Sequence, residues 1–274
     1  MAIGTGVATA VVVGFVGLPL LAIFLRVPVG TLFAQLHSPV ALDALKVSLR
    51  TTLISIVLIV VFGTPVAYRI ATRPFRGSAA ITVLLELPLV LPPAVAGIAL
   101  FAAFGRVGLL GKPLEALGVE LPFTQTAVVM ALTFVSMPFF IRQAIAGFAS
   151  VDRQLLGASR TLGAGEARTF LHVGIPLARQ SLSAGAVLAF ARALGEFGAT
   201  IMFAGSLQGA TQTLPLAVYG QFSSGSLDSA LAIAALLVAV SVGLFAGARV
   251  LLKVRDKDNG VPWAPSSSSE SVIV

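Results

Sequence analysis

Two charged residues lie where charge is costly. Arg192 and Glu196 sit four apart in "FARALGEFGATIMFAGS" (190–206), inside an otherwise apolar run. On a helix that spacing puts them on one face, where they can pair. Gly185, Ala189 and Ala199 share the face and would allow another helix to come close. Counted from Arg179, Arg192 lies ~20 Å and Glu196 ~26 Å along such a helix. Unpaired at the middle of a bilayer, each would cost roughly 2.5–3.5 kcal/mol, so both should face protein or water rather than lipid. Two chemistries fit: attraction or gating of an anion along an aqueous path, or an ion pair that only holds helices or copies of the chain together. A second group is Pro88, Pro92 and Pro93 in "LPLVLPPAVAGIAL" (87–100). Each proline removes an N–H and leaves a carbonyl without its helical partner. In a membrane that is tolerated where the backbone is buried in protein or lines a cavity, so this segment is expected to be kinked and to face a path. Glu86, just before it, is read as structural.

Other chemistries lack their residues. There is no cysteine, and His37 and His172 are far apart, so no metal-ligand set is visible. "GRVGLLGKP" (105–113) has the wrong spacing for a phosphate loop, and Pro113 stands where a magnesium-holding hydroxyl belongs. No Gly-x-Ser-x-Gly elbow and no His-Glu-x-x-His pair occurs. An integral membrane enzyme is therefore disfavoured.

The elements that must position these residues are membrane helices. Of 274 residues, 57% are hydrophobic and 11% charged, against about 25% charged in soluble domains. Crossing a ~30 Å hydrocarbon layer takes about 20 apolar residues. Six segments qualify: Ala2 to Leu25, Val47 to Ile70, Ala79 to Phe104, Pro122 to Ile141, Ser181 to Phe203 and Ser229 to Ala248. The first lacks a basic start and a clear cleavage site, so it reads as a retained helix. The net charge of +7 serves topology rather than nucleic acid. Arg69, Arg73 and Arg76, then Arg142, Arg153, Arg160, Arg168 and Arg179, then Arg249, Lys253, Arg255 and Lys257 fall on one side, which places both termini in the cytoplasm. Arg26, Lys46 and Arg50 flank an external loop and are the exception. Residues 1–255 read as a single transmembrane domain with its core at 47–252. Residues 256–274, with two prolines and four consecutive serines, read as a disordered tail.

One cytoplasmic stretch, residues 150–178, stays polar and continuous. Ser150 or Asp152 can cap a helix beginning near Arg153 and running through Leu155, Leu156, Ser159 and Leu162. Gly163 suits the left-handed residue that closes it. A second short helix, around Glu166 to Val173, would offer Phe170 and Val173 as an apolar face, and Pro176 would end that unit and prepare entry to the fifth span. From physics alone the pair could be a docking element or a hairpin lying on lipid headgroups.

This loop resembles the EAA loop of permease subunits of type I ABC importers. The family pattern is Glu-Ala-Ala, three residues, Gly, nine residues, Ile-x-Leu-Pro. Here Gly157, Ala158 and Ser159 precede Gly163 by the same interval, and Val173-Gly174-Ile175-Pro176 follows after nine residues. The departures are Gly157 for the acid, Ser159 for the second alanine and conservative swaps in the last group, Val173 and Ile175. "LPLVLPPAVAGIAL", "GRVGLLG" (105–111), "FARALGEFGATIMFAGS" and "TLPLAVY" (213–219) resemble the molybdate permeases of that family and, more loosely, the sulfate permeases. The resemblance implies an all-α integral membrane fold of six helices with a cytoplasmic coupling helix. It implies a non-catalytic transport subunit in the inner membrane, importing an oxyanion such as molybdate or tungstate, with sulfate or thiosulfate as the alternative. It also implies a second copy of the permease, two ATPase subunits that use ATP and Mg, and an extracytoplasmic oxyanion-binding protein. The chain itself would bind no cofactor, no metal and no nucleic acid. An ATP-independent channel or secondary carrier would need no such docking loop.

Overall fold

The computed structural model describes residues 2–73 and 75–258. In chain order the helices are α1 (Ala2–Leu25), α2 (Val29–Leu36), α3 (Pro39–Thr72), α4 (Ser78–Glu86), α5 (Pro93–Phe104), α6 (Gly111–Ala116), α7 (Gln125–Ala149), α8 (Arg153–Thr161), α9 (Glu166–Thr169), α10 (Ile175–Leu194), α11 (Gly198–Ala204), α12 (Leu214–Ser223) and α13 (Leu227–Asp258). A 3-10 turn (Leu87–Leu89) follows α4, and a five-residue π turn (Phe170–Gly174) joins α9 to α10. Among the described residues five helices are long and apolar enough to cross a membrane: Thr5–Leu25, Pro39–Thr72, Gln125–Ala149, Glu166–Leu194 and Leu227–Leu244. The pair Ser78–Leu89 and Pro93–Phe104 makes a sixth, bent by 115°.

Specific contacts fix the directions. The Ser55 hydroxyl on α3 donates to the Val129 carbonyl on α7 at 3.1 Å, and further along the same helices Tyr68 meets Phe148 edge to face, with centroids 5.2 Å apart. Thus α3 and α7 run in parallel and finish together at the end that carries α8. The chain between them must return once, so the bent α4–α5 pair makes one net crossing. Gly185 sits against Phe140 and Gln143, and Gly147 against Ser181, so α10 runs antiparallel to α7. These small residues bring the two backbones close enough for van der Waals packing to hold them. At the far end the Gln35 amide donates to Ser229 at 2.9 Å, tying α2 to the start of α13. The Leu214 N–H that opens α12 donates to the Ser48 hydroxyl on α3 at 2.8 Å.

The bundle packs around α7, which is buried along most of its length. One cluster joins α5, α7 and α11 through Leu100, Leu132 and Phe203; another joins α3, α7 and α10 through Ile59, Phe140 and Ala189. Helix starts are capped as elementary rules dictate. Ser38 accepts from the Ala41 N–H at 3.2 Å and Thr124 from the Ala127 N–H at 3.2 Å.

Four expectations change. The third span is a break of 115° rather than a kink, because Pro92 and Pro93 together remove two consecutive N–H donors. The fourth span continues to Ala149, so Arg142 is a helix residue and not a loop residue. The fifth span begins at Glu166 and stops at Leu194, with α11 as a separate piece. Helix α13 runs through Asp258 and takes the first three residues of the expected tail; residues 259–274 lie outside the described residues. Helix α3 has 34 residues, about 50 Å at 1.5 Å each, against a ~30 Å hydrocarbon layer. Its first turns, with Lys46, therefore have room to stand beyond the layer, which accounts for one of the charges that disturbed the topology count.

Candidate functional site: the loop after α7 and the paired helix breaks

Asp152 caps the loop's first helix, its carboxylate accepting from the Gln154 N–H at 2.8 Å. Ser150, the alternative cap, instead donates to the Gly147 carbonyl at 2.8 Å. Helix α8 closes at Gly163, which has φ +85°. The Gly163 N–H donates to the Arg160 carbonyl and the Ala164 N–H to the Ser159 carbonyl. That is the paired closure a left-handed glycine permits. Leu156 is buried, while Leu155 and Leu162 are exposed, so α8 anchors on one side and presents leucines on the other. Gly157 lies in open space: a β-carbon there would meet nothing within 4 Å.

The second half of the loop differs from the separate short helix expected for Glu166 to Val173. Helix α9, the π turn and α10 form one unbroken rod, Glu166–Leu194. Pro176 does not end a unit; it lies in the first turn of α10. Proline cannot donate to the carbonyl four residues back, and the turn before it widens, with the Ile175 N–H donating to the Phe170 carbonyl. The loop is therefore continuous with a membrane helix. It is tied to the bundle at three points. Ser159 and Thr169 share a hydrogen bond of 3.1 Å, and Thr169 is fully buried. Phe170 packs on Tyr68 (centroids 4.8 Å apart) and on Phe148 (6.3 Å). Arg73, at the end of α3, pairs with Glu166 at 3.1 Å. Val173 and Ile175 join the same apolar cluster.

The two broken helices meet each other. A β-carbon on Gly198 would lie 2.8 Å from Pro93 Cβ, and one on Gly97 would lie 2.6 Å from the Ala199 carbonyl oxygen. The starts of α5 and α11 are thus side by side, and the two run on together toward the far end. Glu196 makes the second break. It is 1% exposed; its Oε1 accepts from the Ala199 N–H at 2.7 Å, and its Oε2 pairs with Arg192 at 2.5 Å. The carboxylate thus caps α11 and neutralises the arginine, whose side chain keeps 25% of its surface exposed. Burial of such a charge requires this double satisfaction.

Of the residues singled out from sequence, Gly157, Ala158, Ser159, Leu162 and Gly163 lie on or just after α8, and Phe170, Val173, Ile175 and Pro176 begin the rod. Pro93, Arg192 and Glu196 gather at the paired breaks. Pro88 is buried in the 3-10 turn, and Pro92 is exposed between the two halves. Sequence reading missed Tyr68, Phe148 and Thr169, which carry no signal beyond apolarity or small size. It also missed the Arg73–Glu166 tie, whose opposite charges stand 93 residues apart. No group of three or more His, Cys, Asp or Glu able to hold a metal occurs among the described residues.

Among the described residues the structure is thus an all-helical bundle with a capped polar loop leading into a long apolar rod and two helix breaks side by side, an arrangement suited to a membrane permease. Residues 59–253 match the family described as binding-protein-dependent transport system inner membrane component, and the chain belongs to that family. It is 45% identical over 239 residues to the molybdenum transport system permease protein ModB of Mycobacterium tuberculosis, covering 86% of this chain and 89% of that one. To the chloroplastic sulfate permease 2 of Chlamydomonas reinhardtii it is 34% identical over 241 residues, 87% of this chain and 65% of that one. Among solved structures, a bacterial alginate ABC transporter in complex with an alginate pentasaccharide-bound periplasmic protein aligns with TM-score 0.71 at 12% identity, covering 90% of this chain and 92% of that one. At that identity the likeness is one of fold, that of the ABC importer permeases.

Proposed function

We propose that this chain is the membrane-spanning permease of an ATP-driven importer of molybdate or tungstate. In the working assembly two copies form the path, two ATPase subunits hold ATP and Mg, and an extracytoplasmic binding protein delivers the oxyanion. The loop end of the bundle faces the cytoplasm, and with six crossings both termini lie there too. This chain hydrolyses nothing and holds no nucleotide.

The substrate reading is carried by the 45% identity, over most of both chains, to a permease named for molybdenum transport. Sulfate is the second reading, favoured by the lower identity to a sulfate permease. The coupling reading rests on the loop. Helix α8 is anchored by Leu156, Thr169 and Phe170 and shows Leu155 and Leu162 to the outside. A groove on an ATPase that moves α8 would pull on the rod beneath it, because α8 is tied to that rod by the Ser159–Thr169 hydrogen bond and by the short turn at Gly163. At the paired breaks Glu196 holds structure, while Arg192 and the exposed backbone around Pro92 border the path. Few charges border the spans, so a dianion meets weak attraction and is not trapped.

The test is co-purification with a candidate ATPase, then ATP hydrolysis in the presence of binding protein loaded with molybdate, tungstate or sulfate. Stimulation by molybdate or tungstate supports the reading. Stimulation by sulfate alone transfers it to the second reading, and absence of a stable ATPase complex overturns both.

A further inference from the structure

We propose that Arg142 is a cationic station on the cytoplasmic half of the anion path, restrained by Glu86 at the end of α4, just before the proline break. The proposal rests on the oxyanion-importer reading above. Arg142 lies seven residues before the end of α7, about 10 Å inside the bundle. Its side chain is 63% exposed, and its Nε lies 3.4 Å from Glu86 Oε1. Glu86 is the last residue of α4, immediately before the turn that carries Pro88.

What faces Arg142 is decided by the helix it stands on. Other outward faces of the bundle show large apolar side chains: Leu53, Val57 and Val61 on α3, Val83 and Leu84 on α4. Helix α7 exposes none. After Thr126, its exposed residues are Arg142, Ala146 and Ala149, one strip at spacings of four and three. A strip of small residues and one guanidinium is not a lipid face, since arginine at that depth is costly against hydrocarbon. It faces a water-lined space. Arginine carries five N–H donors. A single carboxylate 3.4 Å from one of them leaves others for an oxyanion, and its negative charge weakens the hold enough for release. Arg192 sits beside the break before α11, further from the loop end than Arg142, which gives the path two shielded cations at different depths.

The chain has no cysteine, so Arg142→Cys introduces a single one. In the assembled complex in membrane vesicles, that thiol is expected to react with a membrane-impermeant anionic thiosulfonate; a thiol that stays unreactive overturns the placement. This arm does not depend on the substrate and stands even if molybdate transport by the wild-type complex fails. In reconstituted vesicles with ATPase, binding protein and molybdate, Arg142→Gln should lower uptake about tenfold, because a unit charge facing a dianion at close range is worth at least that even under water screening. ATP hydrolysis should stay within about twofold of wild type, since Arg142 lies outside the docking loop. Arg142→Lys should keep most uptake, and Glu86→Gln should lose far less than Arg142→Gln. Equal losses from Glu86→Gln and Arg142→Gln, parallel loss of hydrolysis and uptake, failure of Arg142→Gln to assemble, or normal uptake by it would make the pair purely structural or idle and overturn the proposal.

Discussion

Gly97 of α5 lies so close to Ala199 of α11 that a β-carbon on the glycine would come within 2.6 Å of the Ala199 carbonyl oxygen. The contact is with backbone, which cannot rotate away. Gly97→Val is therefore expected to destabilise the bundle by about 1–3 kcal/mol, the usual cost of overpacking. Thermal unfolding of the purified protein in detergent would show a lower midpoint; an unchanged midpoint would mean that the two half-helices are not in contact.

The Arg192–Glu196 pair predicts an asymmetry. Arg192→Gln leaves a carboxylate that is 1% exposed with only the Ala199 N–H as partner, a loss of about 3–5 kcal/mol by analogy with other broken buried pairs. Glu196→Gln keeps a carbonyl for the cap and leaves a cation that retains access to solvent, so its loss should be nearer 1–2 kcal/mol. The yield of folded protein and its unfolding midpoint report both values. The reverse order would place the critical charge on the arginine and return Glu196 to the path.

In the docking loop, Gly163 and Gly157 should behave oppositely. At φ +85°, Gly163→Ala costs about 1 kcal/mol in the αL closure and should weaken recovery of the ATPase on the permease. Gly157 has open space around it, so Gly157→Ala should stabilise α8 by up to ~1 kcal/mol, and Gly157→Glu should assemble normally. Pull-down of the ATPase with each variant checks both expectations.

Ser159 and Thr169 tie α8 to the rod through one hydrogen bond of 3.1 Å. Ser159→Ala, Thr169→Val and the double variant should give a coupling of about 0.5–1.5 kcal/mol in a double-mutant cycle. Strictly additive losses would show that the bond carries no load between loop and membrane helix.

How far the sequence foretold this arrangement depends on the kind of signal. Long apolar runs foretold the membrane helices, and Asp152 and Gly163 foretold both ends of α8, because caps and left-handed glycines act within a few residues. Pro176 misled, because the terminator rule ignores a π turn placed just before it. Arg142 misled, because a charge after an apolar run reads as the start of a loop, although α7 continues for seven more residues. The break at Gly195–Phe197 has no proline to announce it. Its signal is Glu196 three residues ahead of Ala199, the spacing of a helix cap, and it was obscured by the equally valid pairing of Glu196 with Arg192. The meeting of α5 with α11 is a tertiary fact between glycines 101 residues apart, beyond any local rule.

The central claim is that movement of the α8 loop, driven by an ATPase, opens a path for an oxyanion. Its most direct test is molybdate uptake into vesicles reconstituted with this chain, its ATPase and its binding protein. Uptake should require both ATP and loaded binding protein and should fall in step with ATPase binding in Gly163→Ala. Uptake down a molybdate gradient without ATP, at the same rate in that variant, would contradict the claim and make the protein a channel or carrier.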